Sequence, residues 1–131
     1  MPYLNLDDNY PDHPKVEALT DGAYRLHGAC LFYAARFQLD GILTVAQLQA
    51  RRRWSRKAER ELLDNNLLHL PGDLCESTDC PTDDGHRYRL HDFLQWNKPK
   101  SWWDSEREKA AKRKAKWKAD QAATGRGSEH E

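Results

Sequence analysis

Between residues 44 and 70 the chain reads TVAQLQARRRWSRKAERELLDNNLLHL, and this stretch constrains the fold more than any other. Thr44 and Gln47 stand at the spacing at which a hydroxyl caps a helix while a glutamine reaches back to the cap's own N–H. Val45, Leu48 and Ala46 are the inward candidates of that first helix. Arg51, Arg52 and Arg53 close it, where cations complement the negative end of the helix dipole. Trp54 fills the turn, and Ser55 caps a second helix that the pattern carries to about Asn65. Ala58 and Leu62 make its buried stripe, with Leu63 at the edge. The next position on that face is Asn66, which is polar, so the stripe stops there. Leu67 to Leu70 then reads as a short apolar strand, broken by Pro71-Gly72-Asp73.

The flanking segments fit around this pair. Pro14 suits the first position of a short helix to Leu19. Thr20 and Asp21 open a longer helix to about Gln38. Its apolar residues, Ala23, Leu26, Cys30, Leu31, Ala34 and Phe37, recur at the helical period and predict one wall of the core. Ile42 and Leu43 can form a very short strand. Arg87 to Phe93 alternates through Tyr88 and Leu90 and predicts a returning strand. Ser101 to Asp104 has the spacing of a capping box and opens a last helix to about Ala123. The fold class expected is mainly α with a small antiparallel β-wing: a winged helix-turn-helix over residues 1–100, a basic C-terminal helix over 101–123, and a disordered tail over 124–131.

Formal net charge is zero, yet charge is segregated along the chain. Residues 51–60 hold six bases against one acid, Glu59, and residues 107–118 hold seven bases against one acid, Glu108. Residues 73–84 between them hold five acids and no base. Local field, rather than the sum, decides what such a surface attracts. A recognition helix puts its N-terminal residues into the major groove and its flanks on phosphates. Arg56, Lys57 and Arg60, with the cap Ser55, occupy those positions. Arg51, Arg52 and Arg53 are phosphate candidates, joined by Lys112, Arg113, Lys114 and Lys116 of the last helix. The bland alternative is a solvated face stitched by pairs such as Lys57 with Glu61 and Arg60 with Asp64. For the last helix it is a solvated or dimerising arm.

Cys75, Cys80 and His86 are three candidate zinc ligands, and His69 and His91 stand at the strand ends. The Cys-x4-Cys spacing is not that of a zinc knuckle, and no fourth ligand is apparent beyond Asp79, Asp83 and Asp84. The sequence therefore reads as a flexible acidic loop with two free thiols, and no metal or other cofactor is expected. No Gly-rich phosphate loop, H-E-x-x-H or G-x-S-x-G is present, so an enzyme is not expected. No apolar run approaches the about 20 residues that span a bilayer. An odd count of three cysteines fits a reducing compartment, and a cytoplasmic protein is expected.

The opening YLNLDDNYPDHPKVEALTDGAYRLH, the basic helix pair, and the exit YRLHDFLQWN before a charged helix resemble small winged-helix proteins of actinobacterial phages and prophages. Similar domains form the N-terminal part of phage replication-initiation proteins of the replisome-organiser type. The likeness spans about residues 3–118. Its most specific parts are D-x-x-x-x-H-P-K-V from Asp8 to Val16 and L-H-D-F-L-x-W-N from Leu90 to Asn97. It implies a winged helix that binds double-stranded DNA, as a transcriptional regulator or in replication. The long Cys75–Gly85 loop departs from the shorter, less acidic wings of that pattern. The competing expectation is a module that binds a host protein through its acidic wing loop and aromatic surface; a homodimer is a further partner the pattern allows.

Overall fold

Helix ends, more than helix interiors, set the architecture. The computed structural model describes residues 3–73, 75–81 and 85–128. A 3-10 turn, Tyr10–Asp12, leads into α1, Pro14–Glu17, whose N-terminus is capped by the His13 ring. Thr20 caps α2, Asp21–Arg36, and Ala23, Leu26, Cys30, Leu31 and Ala34 are buried along its inner face. The sequence predicts two further residues and an inward Phe37. Instead Gln38 turns left-handed at φ 52°, and its N–H bonds Ala35 while that of Leu39 bonds Ala34. That Schellman closure satisfies the last carbonyls and stops the helix early. Phe37 is left about half exposed, leaning on Tyr33 with ring centroids 4.8 Å apart.

Thr44 and Gln47 form the expected reciprocal cap of α3, Val45–Gln49, at 3.1 and 2.9 Å. Only Leu48 of this helix is buried; Val45 and Ala46 face solvent, because five residues expose one turn to the core rather than a stripe. Ser55 caps α4, Arg56–Asp64, and accepts from the Ala58 N–H at 3.0 Å. Here Asn66 does what Gln38 does in α2. It sits at φ 58°, its N–H bonds Leu63, and the Leu67 N–H bonds Leu62 at 2.9 Å. Leu62 and Leu67 both pack into the core, which is the apolar contact that accompanies such a cap. α4 packs chiefly against α2, through Ala58 and Leu62. Truncating a buried leucine such as Leu62 to alanine costs about 2–5 kcal/mol.

Three short antiparallel strands complete the body: β1, Ile42–Leu43; β2, Leu68–His69; and β3, Tyr88–Leu90, in the order β1-β3-β2. The returning strand is shorter than predicted. Asp92 adopts a left-handed conformation at φ 53°, and Phe93–Trp96 forms α5 instead of continuing the strand. Phe93 is buried against Gly41, and a Cβ on Gly41 would lie 2.6 Å from the Phe93 Cβ. Gly41 is also at φ 80°, so position 41 accepts only glycine without rearrangement. Asn97, nearly buried, ties the chain's opening to this corner. Its side-chain oxygen accepts from the Asn5 N–H at 2.8 Å, and its amide donates to the carbonyls of Asn5 and Phe93.

The chain divides into two units, Met1–Pro99 and Lys100–Glu131. The second is a single helix, α6, Lys100–Ser128. It begins one residue before Ser101, so the predicted capping box does not form; Asp104 instead pairs with Lys100 and Arg107. It also continues beyond Ala123 through part of the tail expected to be disordered, since each residue added to an existing helix gains a hydrogen bond without a new nucleation cost. Residues 129–131 of that tail, and Asp83 and Asp84, lie outside the described residues. The protein is thus mainly helical with one small antiparallel sheet. Among the described residues no helix is long and apolar enough to cross a membrane.

His27 is a buried polar member of α2 that periodicity does not reveal. Its Nδ1 bonds the Tyr10 hydroxyl, and burial lowers its pKa from 6.5 to about 4. A lowered folded-state value means that the unfolded chain takes up this proton first as pH falls. The His27 contribution is therefore complete above pH about 6.5 and is lost progressively down to pH about 4, amounting to about 3 kcal/mol. Urea unfolding across that window should show a falling stability, and His27→Gln should flatten the slope; an unchanged slope would refute the assignment. Gly41→Ala should lower unfolding free energy by at least about 2 kcal/mol, from overpacking plus backbone strain, measured the same way at neutral pH.

Candidate functional site

Two groups of side chains stand out, one on α4 and one on the outer face of the sheet. The first is cationic. Arg52 and Arg53 in the turn, and Ser55, Arg56, Lys57 and Arg60 on α4, are all exposed. Arg53 takes a left-handed conformation at φ 70°, which swings the chain from α3 into α4. Among the described residues none of Arg52, Arg53, Arg56, Lys57 and Arg60 forms an ion pair.

The acids that could have neutralised them are spent elsewhere. Both Glu61 oxygens are taken by Thr20, one by its N–H at 3.0 Å and one by its hydroxyl at 2.7 Å. These bonds from Thr20, first the backbone N–H and then the hydroxyl, hold the Glu61 carboxyl below its usual range. Glu59 accepts from the Trp54 indole N–H at 2.9 Å and from the Tyr88 hydroxyl at 3.1 Å. α4 therefore uses two of its three carboxylates, Glu59 and Glu61, to fasten itself to α2, the turn and β3; Asp64 is exposed beside the outward bases. Cations in a helix's first turn oppose its dipole by about 0.3–1 kcal/mol each.

Arg51 differs from the other five bases of residues 51–60. Its Nε donates to the Gln47 carbonyl at 2.9 Å, and its guanidinium lies 3.5 Å from the centroid of the Tyr33 ring. It is half-buried and clamps α3 to α2.

On α6, Lys112, Arg113, Lys114 and Lys116 are exposed. Lys112 pairs with Glu108 at 3.3 Å; the other three carry no ion pair among the described residues. The bases are distributed around the helix, with Trp117 exposed among them. Among the described side chains of this helix, those of residues 100–124, no apolar stripe of the kind a coiled coil needs is present.

The second group is His69, Cys75, Cys80 and His91, whose potential ligand atoms all lie within 4.8 Å of one another. Strand alternation creates it. Tyr88 and Leu90 face the core, so Arg89 and His91 face the other way, and the register sets His69 beside Arg89. The loop from Leu70 then folds over this face. Arg89 donates to the Asp73 carbonyl, and the Leu94 N–H bonds the Asp79 carbonyl at 3.0 Å. That brings Cys75 and Cys80 to the two imidazoles. His69 Nε2 lies 2.9 Å from His91 Nδ1, and the Cys75 and Cys80 sulfurs lie 3.6 and 3.7 Å from the same nitrogen.

Both histidines are held below their ordinary pKa, chiefly by burial, so both are neutral at pH 7. Burial pushes the Cys80 thiol up to about 11, while the Asp92 backbone N–H bonded to its sulfur works in the opposite direction. The three cysteines are free thiols, and Cys30 belongs to the core. Of the sequence's three zinc candidates the structure gathers two. His86 is exposed and stands outside the group; His69 and His91 replace it. The missed signal was register: two histidines each one residue past an inward leucine, Leu68 and Leu90, fall on the same outer face of a hairpin.

No family model, curated protein or solved structure matches this chain.

Glu59 joins three elements with one carboxylate. Glu59→Ala leaves a half-buried indole N–H and a buried tyrosine hydroxyl without their partner, and should lower unfolding free energy by about 1–3 kcal/mol in urea titrations. Glu59→Gln, which can still accept, should cost less; equal losses would mean the carboxylate acts only through its charge.

Proposed function

We propose that the body is a winged helix that binds double-stranded DNA, with α4 as the recognition helix. The observation that carries this reading is the cationic face of α4: Arg56, Lys57 and Arg60 are exposed and form no ion pair among the described residues, while Glu59 and Glu61 are hydrogen-bonded to Trp54, Tyr88 and Thr20. The order helix, strand, helix, turn, helix, then two strands supports it, because β1, β2 and β3 pair as a wing sheet does behind a helix-turn-helix. Arg56 and Arg60 are one turn apart on α4 and can reach guanine edges bidentately, with Lys57, Arg52 and Arg53 on flanking phosphates. Arg113, Lys114 and Lys116 of α6 add sequence-independent phosphate contacts. The role is that of a regulator or of a replication protein, in the phage or prophage setting that the sequence resemblance implies.

Binding to random-sequence duplex DNA at about 50 and 200 mM salt tests this, for the full chain and for a chain ending at Lys100. Affinity should fall steeply with salt, and truncation should weaken binding and reduce the salt slope. Arg56→Glu with Arg60→Glu should abolish binding with little change in unfolding midpoint, since both side chains are exposed. Wild-type binding by that folded double variant would remove α4 from the interface. No binding by the full chain at low salt would favour a protein partner for the exposed Phe32, Phe37 and Trp96 and the acidic loop.

A further inference from the structure

We propose that His69, Cys75, Cys80 and His91 bind one zinc ion, which fastens the β2–β3 loop to the outer face of the sheet. Tetrahedral zinc with sulfur at about 2.3 Å and nitrogen at about 2.0–2.1 Å requires its ligand atoms to lie about 3.3–3.8 Å apart. The two sulfur-to-nitrogen separations of 3.6 and 3.7 Å fall in that range, and the 2.9 Å between the imidazoles needs only a small opening.

Three potential donors converge on one nitrogen of the cluster. His91 Nε2 stands 3.2 Å from Asp92 Oδ2, so in the neutral ring that nitrogen carries the proton and Nδ1 is a bare lone pair. One lone pair accepts one proton, yet His69 Nε2 and two thiols converge on it. A cation at the centre satisfies all four groups together. Two thiolates and two neutral imidazoles also cancel the charge of a divalent ion, so that nothing unbalanced is buried.

The surroundings are those of a metal-bound histidine. Asp92 accepts from the far ring nitrogen of His91 and is itself fixed by the Ser77 hydroxyl, which orients the imidazole and raises its basicity. The Asp92 backbone N–H also bonds the Cys80 sulfur. The left-handed turn at Asp92 is what lets one residue serve both ligands. With four protein ligands and no open position, the site is structural rather than catalytic. Its sequence form is H-x5-C-x4-C-x10-H, running from the end of β2 through the loop to the residue after β3. Among the described residues of that acidic loop, Cys80 and Pro81 are the buried apolar ones, and a metal would add ordering free energy to what they supply. The proposal stands apart from DNA binding by α4 and is read by a different measurement.

The full chain, produced without a histidine tag and purified under reducing conditions, should carry a full equivalent of zinc by elemental analysis. Cobalt titrated into the metal-stripped chain should give the intense visible bands of a tetrahedral ion and a thiolate-to-cobalt charge-transfer band, saturating at one equivalent. Cys75→Ser and His91→Ala should each lose the stoichiometric metal, whereas His86→Ala should retain it. Because ligand variants can fail to fold, the wild-type cobalt spectrum decides: weak octahedral bands, or only trace zinc in the purified chain, would overturn the site. Loss of metal in His86→Ala equal to that in His91→Ala would overturn the ligand assignment.

Discussion

The body depends on the two-sidedness of β3. Three residues, Tyr88, Arg89 and Leu90, form the middle strand of the sheet, and alternation sends Tyr88 and Leu90 into the core and Arg89 outward. From the inner face, the Tyr88 hydroxyl reaches Glu59 on α4 and so fixes that helix against the sheet. On the outer face, Arg89 holds the following loop by the Asp73 carbonyl, and His91 beyond it meets His69 and the two cysteines. A slip of one residue in this strand would exchange the faces, placing an arginine in the core and a leucine among the clustered histidines and cysteines. Register is therefore doubly specified, which compensates for strands only two or three residues long.

Charge is allocated by the same economy. A helix whose first turn carries arginine and lysine works against its own dipole. α4 offsets that cost with Ser55 as cap, a buried Ala58–Leu62 face, and two carboxylates that tie it to α2 and β3. Thr20 is used twice, as the cap of α2 and as donor to Glu61, so the start of one helix anchors the middle of another. The result is a helix whose exposed arginines and lysine form no ion pair among the described residues. That is an expensive arrangement for stability alone, and it is the physical ground for reading the face as an anion-binding one.

The acidic loop looks at first like an obstacle to that reading, since Asp73, Glu76 and Asp79 would be repelled by phosphate. Its course over the outer face of β2 and β3 gives it another use. Asp73 and Asp79 contribute backbone carbonyls that hold the loop down, and Asp92 and Ser77 orient His91. Under the proposed zinc binding, the segment between the two strands is a stapled cover rather than a groove-reading wing, and the proposed DNA contact falls to α4 with the basic turn.

The sequence by itself determined the parts that follow from local rules. Thr44 with Gln47, Thr20 and Ser55 announce three helix starts, because a cap needs only the next three residues. The inward faces of α2 and α4 follow from the 3.6-residue period, and the strand at Ile42–Leu43 from its apolar pair between turns. Other features depend on partners distant in the chain. Nothing near Arg51 shows that Tyr33 will take its guanidinium, and nothing near Glu61 shows that Thr20 will take both its oxygens. Phe37 follows the helical period yet lies outside the core, because left-handed Gln38 and Asp40 end the helix and turn the chain away. The cluster of two histidines and two cysteines shows the limit most clearly. Cys75 and Cys80 are legible as a pair, but their histidines lie six residues before and eleven after, and only the antiparallel register of β2 with β3 puts both on one face. Local sequence fixes caps and periods; which distant side chains meet is decided by register and packing, where the free energy of each contact depends on both partners being brought together.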